Sequence, residues 1–196
     1  YYGHVDVCSM LIDKGAEINA KTKEGRTALI YASKKGHENV VRLLLDKGAD
    51  VNLSDDHCDG NTALHSASES GHTSVVKLLL ENGADVHAAT GHDRWKQKQW
   101  TALHHASNNG HADVCSMLID KGADINVKTK EGTTALILAS KKGHENVVRL
   151  LLSNGVDVNL SHDGKTALSS ASGRLWFQIQ WTALHHASYN GYADVC

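Results

Sequence analysis

Apolar residues along this chain fall into two short registers that alternate. In ENVVRLLLD (38–46), Val40, Val41, Leu44 and Leu45 stand at helical spacing, which predicts a helix over 38–46. Immediately upstream, TALIYASKKG sets Ala28, Leu29 and Ala32 on a second short helix, with Thr27 as its N-cap and a stop near Gly36. Gly48 stands where a left-handed C-cap belongs. The polar stretch AKTKEGR (20–26) has the glycine and the charge of a tight projecting turn. Two helices this short cannot recover the cost of nucleation alone. Their apolar faces must be covered by a neighbour, so the pattern predicts a stack of helix pairs.

The neighbours are visible as repeats. TAL occurs at Thr27, Thr62, Thr101, Thr134, Thr166 and Thr182, at spacings of 35, 39, 33, 32 and 16 residues. A GHxxVV or GHxDVC motif starts at Gly3, Gly36, Gly71, Gly110 and Gly143, and GADVN or a near relative follows each. One unit reads G-R-TALIYAS-KK-GH-EN-VV-RL-LL-DK-GADVN. This resembles the ankyrin repeat, with its pattern G-x-TPLHxAA-xx-GH-xx-(V/I)V-xx-LL-xx-GADVN, over nearly the whole chain. The resemblance implies an all-α fold, an ankyrin-repeat solenoid of stacked helix-turn-helix units with projecting hairpin links. The expected units are a partial repeat over 1–19 and full repeats over 20–52, 53–87, 88–126 (with an extended link) and 127–159. A truncated, irregular repeat over 160–181 and a partial one over 182–196 follow. In every TAL, alanine stands where the family has proline. Proline at the first helical position is pre-organised, so each alanine forgoes about 0.4–1 kcal/mol.

A longer period lies above the repeat. Residues 3–52 and 110–159 are almost the same sequence, offset by 107. All four tryptophans sit in a second pair of copies, GHDRWKQKQWTALHHAS (91–107) and GRLWFQIQWTALHHAS (173–188). Aligning Ser68 with Ser172 and Trp100 with Trp181 leaves no equivalent of Glu69–Gly91, which is 23 residues. The missing piece holds the end of the inner helix, the GH turn and the whole outer helix. The unit at 166–181 is therefore not a complete repeat. It reads as an internal deletion, with a specialised terminal hairpin as the alternative. Regular stacking is expected to about Leu168 and irregular structure beyond it. LWFQIQW is apolar and uncharged, an aggregation hazard if exposed.

Composition narrows the function. Charged residues are 21%, apolar ones 41%, and the net charge is −2, an ordinary soluble balance that argues against a nucleic-acid footprint. No run of about 18 apolar residues exists, so no membrane insertion is expected. With no initiator methionine and no signal-peptide pattern at Tyr1, and with both ends inside a unit, the chain reads as part of a longer protein. Ten of the fourteen histidines occupy repeat slots. His65, His104 and His185 fill the TALH slot; His4, His37, His72, His111 and His144 fill the GH slot; His105 and His186 share a slot with Tyr31 and Leu138. They recur because the unit recurs. His57, His87, His92 and His162 are left over, without a ligand spacing. Cys8, Cys115 and Cys196 share a slot with Val41, Val76 and Val148 and are expected as buried thiols. Cys58 lies in the polar link SDDHCDGN, which lacks a metal pattern. Unpaired thiols favour a reducing, cytoplasmic setting. No nucleophile elbow, P-loop, HExxH or dinucleotide fingerprint is present, so no enzyme activity, metal or cofactor is expected.

What remains is a binding surface. The resemblance implies a concave face lined by links and inner helices. There the chain places Lys21, Lys23 and Arg26 on one link, with Lys34 and Lys35 ending its helix. The duplicate supplies Lys128, Lys130, Lys141 and Lys142. The extended link adds Arg94, Trp95, Lys96, Lys98 and Trp100, the composition of an interface hot spot. Alternation along WKQKQW sets Trp95 and Trp100 on opposite faces, if extended, so that one packs down and the other faces outward; the alternative is that both pack against neighbouring helices. Most Asp and Glu sit on the outer helices and in GAD. The expected function is a monomeric, non-catalytic scaffold presenting a basic concave face to a protein or peptide, acidic or phosphorylated. The alternatives are a spacer within a larger array and a regulatory segment of an enzyme or channel outside these residues.

Overall fold

The computed structural model describes residues 3–55, 60–91 and 99–171. Numbered in chain order, five outer helices are α1 (Val5–Asp13), α3 (Glu38–Asp46), α5 (Thr73–Glu81), α7 (Ala112–Asp120) and α9 (Glu145–Ser153). Five inner helices are α2 (Ala28–Lys35), α4 (Ala63–Ser70), α6 (Ala102–Asn109), α8 (Ala135–Lys142) and α10 (Ala167–Ala171). Inner helices pack on inner helices and outer on outer, so the molecule is a two-row stack. Among the described residues there is no strand; only the isolated bridges Ala89–Thr101 and His162–Lys165 occur. The all-α repeat expected from sequence is what forms. The expectation of irregular structure beyond Leu168 falls mostly on residues 172–196, outside the described ones. Within them the stack continues through α10, which packs on α8.

Local chemistry sets each helix. Thr27 is extended (φ −86°, ψ 164°), and its Oγ1 accepts the amide of Ile30 at 3.3 Å, so α2 starts at the next residue. Gly36 ends it with φ +73°, a left-handed conformation that β-carbon residues resist. Gly48 closes α3 in the same way at φ +89°, its amide donating to Leu45 while that of Ala49 donates to Leu44. Leu29, Leu64, Leu103 and Leu136 from the inner row meet Val41, Leu44, Val76, Leu79, Cys115, Leu118 and Leu151 from the outer row in one continuous core. α1 is the exception. Among the described residues no inner helix of its own unit lies on it, so Val7, Met10 and Leu11 are exposed and Cys8 is only half-buried. The burial expected for that thiol is corrected accordingly.

Two further devices lock unit to unit. The GH histidine of one unit lies over the C-capping glycine of the unit before: a β-carbon at Gly36 would sit 2.6 Å from His72 Nδ1. The Nε2 of His72 donates to the Lys34 carbonyl at 3.1 Å, that of His111 to Glu69 at 3.1 Å, and that of His144 to Asn108 at 3.0 Å. Glycine is therefore required there by both φ and contact. In GADVN, the Asp50 carboxylate accepts the Asn52 amide at 2.9 Å, and Asn52 Oδ1 accepts the next unit's Asp85 amide at 2.9 Å. Asn19 does the same for Asp50 at 3.0 Å and Asn126 for Asp157 at 2.8 Å. His87 fills this slot in the third unit, and no such bond reaches Asp124 among the described residues. His87 is thus a gap in a ladder, which its sequence context did not reveal.

Two stability predictions follow from these geometries. His87→Asn restores the missing rung and is expected to add about 0.5–1.5 kcal/mol, read from urea denaturation at constant m-value. Ala28→Pro is expected to add about 0.4–1 kcal/mol, because Thr27 already holds the extended conformation that a following proline demands and Ala28 is exposed. Loss of stability in either variant contradicts the corresponding geometry.

Candidate functional site

Most of the basic side chains named above stand on links and inner-helix ends, and the link geometry decides which way each one turns. In the first link the Thr22 amide donates to the Arg26 carbonyl at 2.9 Å, and its Oγ1 accepts the amides of Glu24 and Arg26 at 3.3 Å each. Gly25 supplies the positive φ that closes the turn. Lys21 and Lys23 are left exposed, whereas Arg26 turns inward. Its Nη1 is 3.4 Å from Glu24 Oε2, its Nε is 3.7 Å from Asp55 Oδ2, and its guanidinium lies 5.7 Å from the centre of the Tyr31 ring. The Tyr31 hydroxyl donates to Glu24 at 3.0 Å. Asp55 is 3% exposed, and its other oxygen accepts the amides of Gly60 at 2.8 Å and Asn61 at 3.1 Å. Arg26 therefore ties one link to the next. Removing it would leave a buried carboxylate without its counter-ion.

Lys34 and Lys35 are exposed at the end of α2, and Lys34 Nζ stands 3.9 Å from Glu69 Oε2 on α4. In the duplicate block, Thr129 repeats the part of Thr22: its amide donates to Thr133 at 2.9 Å and the Gly132 amide returns to it at 2.8 Å. Lys128, Lys130, Lys141 and Lys142 are all exposed around α8. Thr133 takes the place of Arg26 and Leu138 that of Tyr31, so the cluster of the first block is not repeated.

The extended link is anchored by its base. The Thr90 amide donates to the Trp100 carbonyl at 2.8 Å, and the Trp100 amide donates to Thr90 Oγ1 at 2.9 Å. Trp100 is half-buried, with its indole 5.1 Å from the His105 ring and 6.3 Å from that of His104, so it packs down on the inner row. Arg94, Trp95, Lys96 and Lys98 lie outside the described residues, as do Trp176 and Trp181.

Beneath the links, the TALH histidines work as struts. The Thr62 amide donates to His65 Nδ1 at 3.1 Å, which leaves the proton on Nε2 to donate to the Ala88 carbonyl at 2.9 Å. His104 receives the Thr101 amide in the same way at 3.1 Å. Burial holds the pKa of both down at about 4. Cys115 is buried and its thiol is pushed up to about 11, the signature of an inert core sulfur. Among the described residues no group of three or more His, Cys, Asp or Glu is assembled to hold a metal. The counter-ions Asp55 and Glu69 are what sequence reading missed as partners of Arg26 and Lys34. Their separations in the chain, across a whole unit, carry no pairing signal until the stacking register is known.

A two-row stack of short helices with turn-closed links defines the helical repeat solenoids, which act through extended surfaces. The family model for ankyrin repeats (three copies) matches residues 1–90, 54–129, 89–162 and 121–196, and the chain belongs to that family. Ankyrin repeats generally mediate protein–protein interaction. Comparison with curated proteins gives no match. Among the described residues no helix is long and apolar enough to cross a membrane.

The histidine struts generate a pH prediction. Each is neutral in the fold down to pH about 4, while in the unfolded chain it protonates near the ordinary histidine value of 6.5. Between these values the unfolded state binds more protons, so stability is full above pH 6.5 and falls as the pH drops towards 4. Imidazole NMR shifts of His65 and His104 are expected to stay neutral through pH 5.5, and a titration midpoint near 6.5 for either contradicts the strut.

Proposed function

We propose that the chain is a non-catalytic protein-interaction module whose link and inner-helix surface, the concave face of the array, takes an acidic or phosphorylated protein segment. The observation that carries this reading is the exposure of Lys21, Lys23, Lys34, Lys35, Lys128, Lys130, Lys141 and Lys142 on links and inner-helix ends. Arg26 belongs to the scaffold of that face rather than to its open surface. Trp100 supports the base of the extended link, whose sequence also carries Arg94, Trp95, Lys96 and Lys98. Helices locked to one another through histidine and asparagine bonds present such a surface with little ordering on contact, so affinity draws on pre-organisation. A buried, unreactive Cys115 and a free Cys8 among the described residues suit a reducing compartment.

A spacer role makes a different demand: the surface charges could then be reversed without losing a partner. The deciding experiment is capture from lysate by the 196-residue chain, compared with a variant carrying Lys34→Glu, Lys35→Glu, Lys141→Glu and Lys142→Glu. Circular dichroism confirms that both fold. The expected outcome is a partner retained by the parent chain, lost by the variant, and released as salt rises. Equal capture by both sinks the basic-surface reading and leaves the spacer.

A further inference from the structure

The duplicated blocks are alike in sequence and unlike in charge pairing. Residues 3–52 and 110–159 differ only at positions 5, 17, 20, 26, 31, 46, 47 and 49 of the first block. Two of those differences, Arg26 to Thr133 and Tyr31 to Leu138, remove the cluster that engages Glu24 and Asp55. The unit that follows each block differs in the same sense. Asp55 pairs across its link with Asn61 after the first block, while His162 takes the corresponding place opposite Lys165 after the second. Lys34 has Glu69 at 3.9 Å on the next inner helix. The shortened unit after the second block has no residue equivalent to Glu69, and Gly173 and Arg174 follow Ser172 instead.

The result is one basic cluster supplied with its own counter-ions and one without. Lys128, Lys130, Lys141 and Lys142 are exposed, and none has an ion-pair or hydrogen-bond partner among the described residues. Glu131 is the one carboxylate retained in that link. We infer that the acidic partner is taken by the second cluster, Lys128, Lys130, Lys141 and Lys142, while internal ion pairs occupy part of the first. This rests on the basic-surface reading above and narrows it to one block.

The arrangement also selects the partner's chemistry. Lys141 and Lys142 end α8, whose eight residues span about 12 Å, and Lys128 and Lys130 stand on the link that precedes the helix. An extended segment covers that distance in about four residues. Four separate ammonium groups match charges spread along a chain. A single phosphate, in contrast, is best held by donors converging on one point, as an arginine fork provides. The fitting occupant is an extended protein segment with two Asp/Glu pairs about four residues apart.

The test uses fluorescence anisotropy with a labelled peptide carrying two Glu-Glu pairs separated by three neutral residues, so that the facing glutamates stand four positions apart. Its all-Gln counterpart and a peptide with one phosphoserine serve as comparisons, all at low salt on the whole chain. Lys141→Gln with Lys142→Gln is expected to weaken binding of the Glu peptide at least tenfold. Lys34→Gln with Lys35→Gln is expected to change it less than twofold, with unchanged circular dichroism for both. Comparable losses from both blocks overturn the asymmetry and leave the basic surface standing. No loss from either pair, no binding at all, or equal binding of the Gln peptide overturns the basic surface as well. Tighter binding of the phosphoserine peptide overturns the choice of carboxylates.

Discussion

The rings of His72, His111 and His144 rest on the glycines that end the preceding inner helices, and each Nε2 reaches back to a carbonyl two residues before that glycine. This contact sets the register from which the other inter-unit interactions follow. It needs a left-handed glycine without a β-carbon, which in turn needs an inner helix of fixed length ending there. Once the ring is seated, the Val, Leu and Cys positions of neighbouring outer helices close a common core, and asparagine reaches the next unit's Asp amide. Two helices of eight or nine residues do not recover the cost of nucleation without a neighbour. Stability is accordingly a sum of intrinsic terms and nearest-neighbour terms, with each interfacial hydrogen bond contributing about 1 kcal/mol.

That architecture explains why duplication and divergence leave different marks on core and surface. The core slots of residues 110–159 repeat those of 3–52 almost unchanged, since a change of even a methylene is felt in a packed interior. Slots at the foot of the links tolerate replacement, and there the part-buried Arg26 gives way to Thr133 and the part-buried Tyr31 to the buried Leu138. A substitution of this kind does little to the fold, yet it alters which carboxylates and lysines neutralise one another. Electrostatic identity is thus decided between units rather than within one. An isolated repeat sequence says how many lysines it carries, and its neighbour says how many of them are already engaged.

Helix pairs, their capping threonines, their stopping glycines and the core positions of the outer helices were all legible in the chain. Each depends on residues within one turn or one helical face, where spacing alone encodes geometry. The thirty-odd-residue period then implied stacking, because such short helices must be covered. Ten histidines stand in repeat slots on the same ground, and among the described residues the bonds of His65, His104, His72, His111 and His144 to threonine amides and neighbouring carbonyls give that reading its mechanism. The site was read less completely. The lysines of the proposed surface stand exposed where their positions in the repeat put them, whereas Arg26 turns towards Asp55.

By itself, then, the sequence determined the period, the helices, their caps and the apolar faces that must meet. Those are consequences of local backbone preference and of the aversion of apolar side chains to water. Only the tertiary structure decided that Arg26 spans two links, that Lys34 faces Glu69, that Trp100 packs on His105, and that His87 interrupts the asparagine ladder. Each of these joins groups on different elements, most of them a unit apart in the chain. Their distance is set by the rise and rotation from one unit to the next, a quantity that packing determines and spacing along the chain does not contain.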